Sequence, residues 1–258
     1  MGDPLALALV ALAAFVAGTV NAVAGGGTLI TFPALTGAGL AATVANVTST
    51  VALAPGYASG AAAQRADLVG QRRRAAVLVP VGVAGGLAGG ALLLATGERL
   101  FQAIVPFLLF TASAILWLQP RVRRIVRERT DRAGDAPTER LAPWLVVAVF
   151  LASVYGGYFG AGLGIVLLAV LGLGLEDDLR RINALRLAVA FGVNGTAALF
   201  FLASGYVAWD AAIVMMVGAI AGGAFGGRIA DRVDEDVLRL TVVAIGIAVG
   251  IAFLLRVL

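Results

Sequence analysis

Apolar residues fall in eight long runs, near residues 5–24, 43–63, 75–96, 101–118, 143–159, 182–203, 211–227 and 238–256. A bilayer core takes about 20 apolar residues per helix, so each run predicts a membrane-crossing helix. Two shorter apolar pieces, 28–36 and 164–174, follow the first and fifth runs and are too short to cross upright. A glycine cluster separates each from its long neighbour: Gly25-Gly26-Gly27 in one case, Gly160 through Gly162 to Gly164 in the other. Trp117, Trp144 and Trp209 stand at predicted span ends, where interfacial Trp is enriched. The one long polar segment, 119–142, divides the chain into 1–118 and 143–258. It reads as a solvated cytoplasmic linker with some helix at its start.

The two halves match without gaps at an offset of 137 residues. Gly25 falls on Gly162, Gly27 on Gly164, Gly37 on Gly174 and Asn46 on Asn183. Gly85-Gly86-x-x-Gly89-Gly90 falls on Gly222-Gly223-x-x-Gly226-Gly227. Glycine is abundant, with 34 residues, so one match means little. A six-residue pattern, a glycine cluster and an asparagine at one offset together indicate duplication. Duplicated units of this kind are the usual build of secondary transporters.

Composition narrows the class. Of the 258 residues 60% are hydrophobic and the mean hydropathy is +0.98, well beyond a soluble domain. Histidine and cysteine are absent, which excludes imidazole or thiolate metal sites, Ser–His catalysis and disulfides. No cofactor or metal is expected. The 19 basic residues are all arginine, and the net charge of +4 reflects basic loops at one membrane face rather than a nucleic-acid partner. The N-terminal run lacks a basic leader and reads as a retained helix rather than a cleaved signal.

Arginine placement orients the halves. If all eight runs cross, the repeats are parallel and twelve loop arginines oppose six. If each first run instead folds back with its short partner as a re-entrant hairpin, the repeats are inverted. Loops 64–74, 119–142, 176–181 and 228–239 then share a face holding sixteen arginines, against Arg99 and Arg256 on the other. The positive-inside rule favours inversion. The expected fold is therefore all-α and integral to the membrane, with about eight transmembrane segments in two inverted repeats of four, the first segment of each broken at glycines.

The segments GTVNAVAGGGTLITFPAL (18–35) and YGGYFGAGLGIVLL (155–168), each followed by a polar-dotted helix, resemble the sulfite exporter TauE/SafE family. The GGLAGG and GGAFGG helices fit the same pattern. The resemblance covers nearly the whole chain and implies a multi-pass carrier of sulfite, organosulfonates or related small anions.

The candidate site follows from helix physics. A broken helix leaves backbone groups unpaired, tolerated in a membrane only beside protein or a wet cavity. Its inner half presents an N-terminus with about half a positive charge and free N–H donors. Gly25, Gly26, Gly27 and Thr28 in one half, and Gly160, Gly162 and Gly164 in the other, would form two such ends, with Asn21 capping or lining the first. The alternative is that these glycines serve packing alone. The helices that follow carry polar stripes: Asn183, Arg186 and Asn194 in the second half, Asn46, Ser49 and Tyr57 in the first. Arg186 is the only ionisable residue clearly inside a span. Its planar guanidinium suits two oxygens of a sulfonate or sulfite, or it snorkels to headgroups near Arg180 and Arg181. The GGxxGG helices read as packing seams. The expected function is secondary transport, as an exporter, of small sulfur-containing anions bound between the repeats, in the inner (plasma) membrane, with an anion channel of the same build as the alternative. Without histidine, cysteine or a buried carboxylate, an enzyme is not expected.

Overall fold

A computed structural model describes residues 3–23, 26–133, 141–229 and 234–257. Within them the chain is helical, with no strand. The elements are α1 (Pro4–Val23), α2 (Thr28–Gly37), α3 (Ala42–Ala63), a 3₁₀ turn (Arg65–Leu68), α4 (Arg72–Ala133), α5 (Pro143–Tyr158), α6 (Leu163–Gly174), α7 (Leu179–Leu202), α8 (Trp209–Ile229) and α9 (Glu235–Val257). α4 turns sharply at Gly97, whose φ of 71° and ψ of 161° lie where only glycine sits without strain. Its two arms, 72–96 and 98–133, are the third and fourth apolar runs of the sequence.

Helix boundaries keep the sequence offset. α3 opens at Ala42 and α7 at Leu179, α4 at Arg72 and α8 at Trp209, while α2 ends at Gly37 and α6 at Gly174. Each pair is 137 positions apart. The second arm of α4 outlasts its apolar run and continues helical through Ala133, with one face packed and the other, carrying most of its arginines, exposed. Val126 is buried there against Gly172. Among the described residues five helices are long and apolar enough to cross a membrane: α1, α4, α7, α8 and α9. α5 has 16 residues, about 24 Å at 1.5 Å per residue, short of a hydrocarbon core of about 30 Å.

The halves interlock. α1 makes its most extensive contact with α8, and α5 packs on the first arm of α4. Gly222 faces Phe15 and Gly218 faces Ala11, so α1 and α8 run parallel. Gly85 faces Phe150 and Ser153 while Gly89 faces Val154, so α5 and the first arm of α4 do the same. The GGxxGG helices are thus close-packing seams, each clasping the first helix of the other half. At the centre α3 and α7 cross antiparallel: Gly60 faces Leu187, and Gln64 bonds Asn183. α9 and the second arm of α4 also oppose, with Phe110 at Gly250 and Ser113 at Gly246. Two apolar cores result, bridged by Tyr57 and Val122, which touch both. Leu5, Leu9, Leu12 and Val16 of α1 and Ile213, Val217 and Ile220 of α8 remain exposed, an apolar surface suited to lipid.

Candidate functional site

Both interruptions are built on left-handed glycines. Gly26 has φ 91°, while Gly160 and Gly162 both have φ 79°. Gly25 lies outside the described residues. At the first break the Asn21 side-chain oxygen accepts the Gly27 N–H at 2.8 Å. Any side chain on Gly27 would collide with Asn21 and the Ala17 carbonyl. Thr28 is buried in the first turn of α2. Thr31, one turn into α2, reaches the Gly27 carbonyl at 3.3 Å and the Ser49 hydroxyl at 2.6 Å. Ser49 is therefore tied to the first break.

At the second break the Tyr155 hydroxyl donates to the Ala161 carbonyl at 2.6 Å. No side chain caps the N-terminus of α6. The full-length helices differ. α7 is capped by Asp178, which accepts from the Arg180 N–H. α3 is capped from afar: the two carboxylate oxygens of Glu98 accept the Ala42 and Thr43 N–H groups at 2.7 and 2.8 Å. An anion is the natural partner of a helix N-terminus. The protein provides its own for α3 and α7 and leaves α6 without one.

The structure brings the two breaks together. A Cβ placed on Gly26 would lie 3.1 Å from Leu116, and one on Gly162 would lie 3.1 Å from Ile115. Neighbouring residues of one helix thus touch both interruptions. Phe32 of α2 and Phe159 of the second break meet edge-on, with ring centroids 5.7 Å apart.

Arg186 points into this region. One of its terminal nitrogens donates to the Gly164 carbonyl at 3.3 Å. Gly164 is ten residues, about 15 Å, from the loop end of α6, so the guanidinium reaches inward rather than toward Arg180 and Arg181. Its Nε is buried and has no hydrogen-bond partner among the described residues. Tyr57 of α3 and Arg123 of α4 lie near enough to interact with it electrostatically. Asn194 sits beside Gly160, and Asn46 donates to the Tyr158 carbonyl at 2.9 Å. Asn183 is placed differently: its amide is taken up by the Gln64 side chain at 2.8 Å, at the end of α3 rather than at a break.

Two features escaped the sequence reading. Glu98 had a signal, since Glu235 stands 137 positions on. The other is an ion-pair cluster at one end of the bundle. Asp177 pairs with Arg74 and, at 2.8 Å, with Arg181, while Gln71 holds the Arg181 carbonyl at 2.9 Å. Nothing in an acidic loop run (Glu176-Asp177-Asp178) marks which carboxylate turns inward. Two surface grooves, of about 430 and 480 Å³, lie beside the Gly97 turn and are lined by Thr96, Tyr155 and Tyr158 and by Thr96, Glu98 and Arg99 respectively; neither includes Arg186.

Comparison with known proteins fits this architecture. Residues 10–253 match the family model described as Sulfite exporter TauE/SafE. A probable membrane transporter protein of Haemophilus influenzae is 27% identical, over 92% of this chain and 90% of its own. A probable membrane transporter protein, ORF9, of a Sinorhizobium species is 29% identical, over 96% and 92%. The probable membrane transporter protein YfcA of Escherichia coli K12 is 25% identical, over 95% and 88%. No solved structure gives a significant match. With the family model spanning nearly its whole length and its relatives named membrane transporters, the chain belongs to the sulfite exporter TauE/SafE family of membrane transporters.

Proposed function

We propose that this transporter exports small sulfur-containing anions across the inner (plasma) membrane, binding them at the second helix break against Arg186. The observation that carries the reading is a half-buried guanidinium inside a span, its Nε without a partner among the described residues, beside a helix N-terminus that none of their side chains caps. The guanidinium and the positive end of α6 converge there, with Arg123 near enough to add to the positive field. A planar, two-pronged cation matches the oxygens of sulfite or a sulfonate better than it matches chloride. The family's description as sulfite exporters supports both the substrate class and the direction.

The test is binding to the purified protein across sulfite, thiosulfate, sulfoacetate, sulfate and chloride, paired with counterflow in liposomes. Saturable binding of a sulfur oxyanion, with chloride inert, is the expected result. Equal binding of all five would leave the fork without a role.

The same reading takes the halves as inverted repeats with re-entrant first segments, each half holding three full crossings. Antiparallel running of the equivalent helices α3 and α7, and of α9 against the second arm of α4, supports it. So does the arginine count. In the inverted arrangement loops 64–74 and 204–210 face opposite sides. Single cysteines at the exposed positions Val69 and Tyr206 should then react with an impermeant thiol reagent from opposite faces of sealed vesicles. Labelling of both from one side would reject inversion.

A further inference from the structure

A break in a helix has two poles. The N-terminus of α6 is positive and takes the anion in the reading above. The C-terminus of α5, which ends at Tyr158 in the same loop, carries the opposite partial charge, about half an electron, on its last carbonyls. Two buried asparagines close on this negative pole from the two crossing helices.

Asn46 of α3 is 1% exposed, and its amide nitrogen donates to the Tyr158 carbonyl. That bond fixes which way the amide faces, because a carbonyl accepts only from the nitrogen. The Asn46 side-chain oxygen is therefore the buried atom left over, with no hydrogen-bond partner among the described residues. An unpartnered buried polar oxygen is costly to keep, and a water or an ion bound to it is a physical account of why the fold keeps one. Asn194 of α7, 3% exposed, is oriented in the same way. Its nitrogen donates to the Ala190 carbonyl at 2.8 Å. Its oxygen is turned to Gly160, 3.7 Å from where a Cβ on that residue would stand. The oxygens of two amides and the carbonyls ending a helix thus gather around one loop. All are neutral, hard donors. The left-handed φ of Gly160 lets the loop pass close to Asn194.

We infer that the α5 end of the second break is a sodium site, formed by the side-chain oxygens of Asn46 and Asn194 together with the Tyr158 carbonyl. Neutral oxygens suit a monovalent cation. A divalent ion buried this deep would call for carboxylates, whereas the oxygens gathered here belong to amides and a backbone carbonyl. Discontinuous helices in transporters hold coupling cations with the carbonyls of a half-helix C-terminus. Here the cation would stand on the opposite pole of the break from Arg186. Na⁺ and the anion would then attract across the loop, and each would strengthen the binding of the other. The coupling rests on the anion reading above; the cation site itself does not.

The experiment separates the two. Thermal unfolding of the purified protein is followed in a medium free of sulfur anions, while NaCl replaces choline chloride at constant total chloride. Ligand that binds only the folded state raises the melting temperature saturably. The expected result is such a rise with Na⁺, little with K⁺, and a loss of apparent Na⁺ affinity on the order of tenfold or more in Asn46→Ala and in Asn194→Ala. Should Asn46→Ala fail to fold, Asn194→Ala carries the test alone. A flat response of the unaltered protein overturns the site, whatever the anion measurements give. So does an Na⁺ response that both variants retain.

Discussion

Arg186→Ala should abolish sulfur-anion transport while the protein still folds and inserts. The two halves of this expectation have one cause. An arginine at the bilayer centre costs about 3 kcal/mol on insertion scales. Here, among the described residues, the guanidinium has one weak bond, 3.3 Å to the Gly164 carbonyl, and a buried Nε with no partner. Removing it takes away an incompletely satisfied cation, so folding loses little. Binding loses the opposite way. Truncating one partner of a buried, hydrogen-bonded charge pair costs about 2–5 kcal/mol, roughly 30-fold to several thousand-fold in affinity. Arg186→Lys keeps the charge but not the fork, and should fall between the two. Uptake into liposomes and titration of the purified protein read both quantities. Wild-type flux in the alanine variant would move the anion elsewhere in the molecule.

Much of this arrangement is legible in the sequence. Glycine clusters at one repeat offset located both breaks, because few other residues adopt φ near +80° and none lets backbones approach as closely. The polar stripes located the helices that face them. What periodicity does not carry is partnership. A helical face shows that Asn183 points somewhere polar, and the Gln64 side chain it meets lies 119 positions away in sequence. The same holds for Glu98, which caps α3 from 55 and 56 positions downstream. In segment 119–142 the arginines dominate the composition and point to a linker. Val122 and Val126, a turn apart on one face, were the sign that the helix continues and packs. Asn46 was read as a site residue through its repeat mate Asn183, yet the two asparagines do different work. Duplication preserves the backbone more faithfully than the chemistry at matched positions.

That backbone rests on the seams, and here two adjacent glycines should behave oppositely. A Cβ built on Gly222 would overlap the carbonyl of Phe15, which is backbone and cannot swing aside. On Gly223 the nearest atom is the Gly18 carbonyl at 3.9 Å, an ordinary contact. Gly222→Ala must therefore push α1 and α8 apart along their interface, the most extensive between two helices among the described residues. Overpacking a tight core costs about 1–3 kcal/mol and more where nothing can yield; Gly222→Val should exceed the upper figure. Gly223→Ala should be neutral or slightly stabilising, since alanine favours the helix over glycine by up to about 1 kcal/mol. Melting temperature and monodisperse yield in detergent distinguish the two. Equal loss in both variants would mean that close backbone approach at Gly222 is not what the seam's glycines provide. Equal tolerance would mean that α1 moves readily against α8, as a sliding interface would. In a chain whose halves clasp each other through these seams, a large loss at Gly222 alone instead shows that the α1–α8 seam depends on backbone contact at that one position.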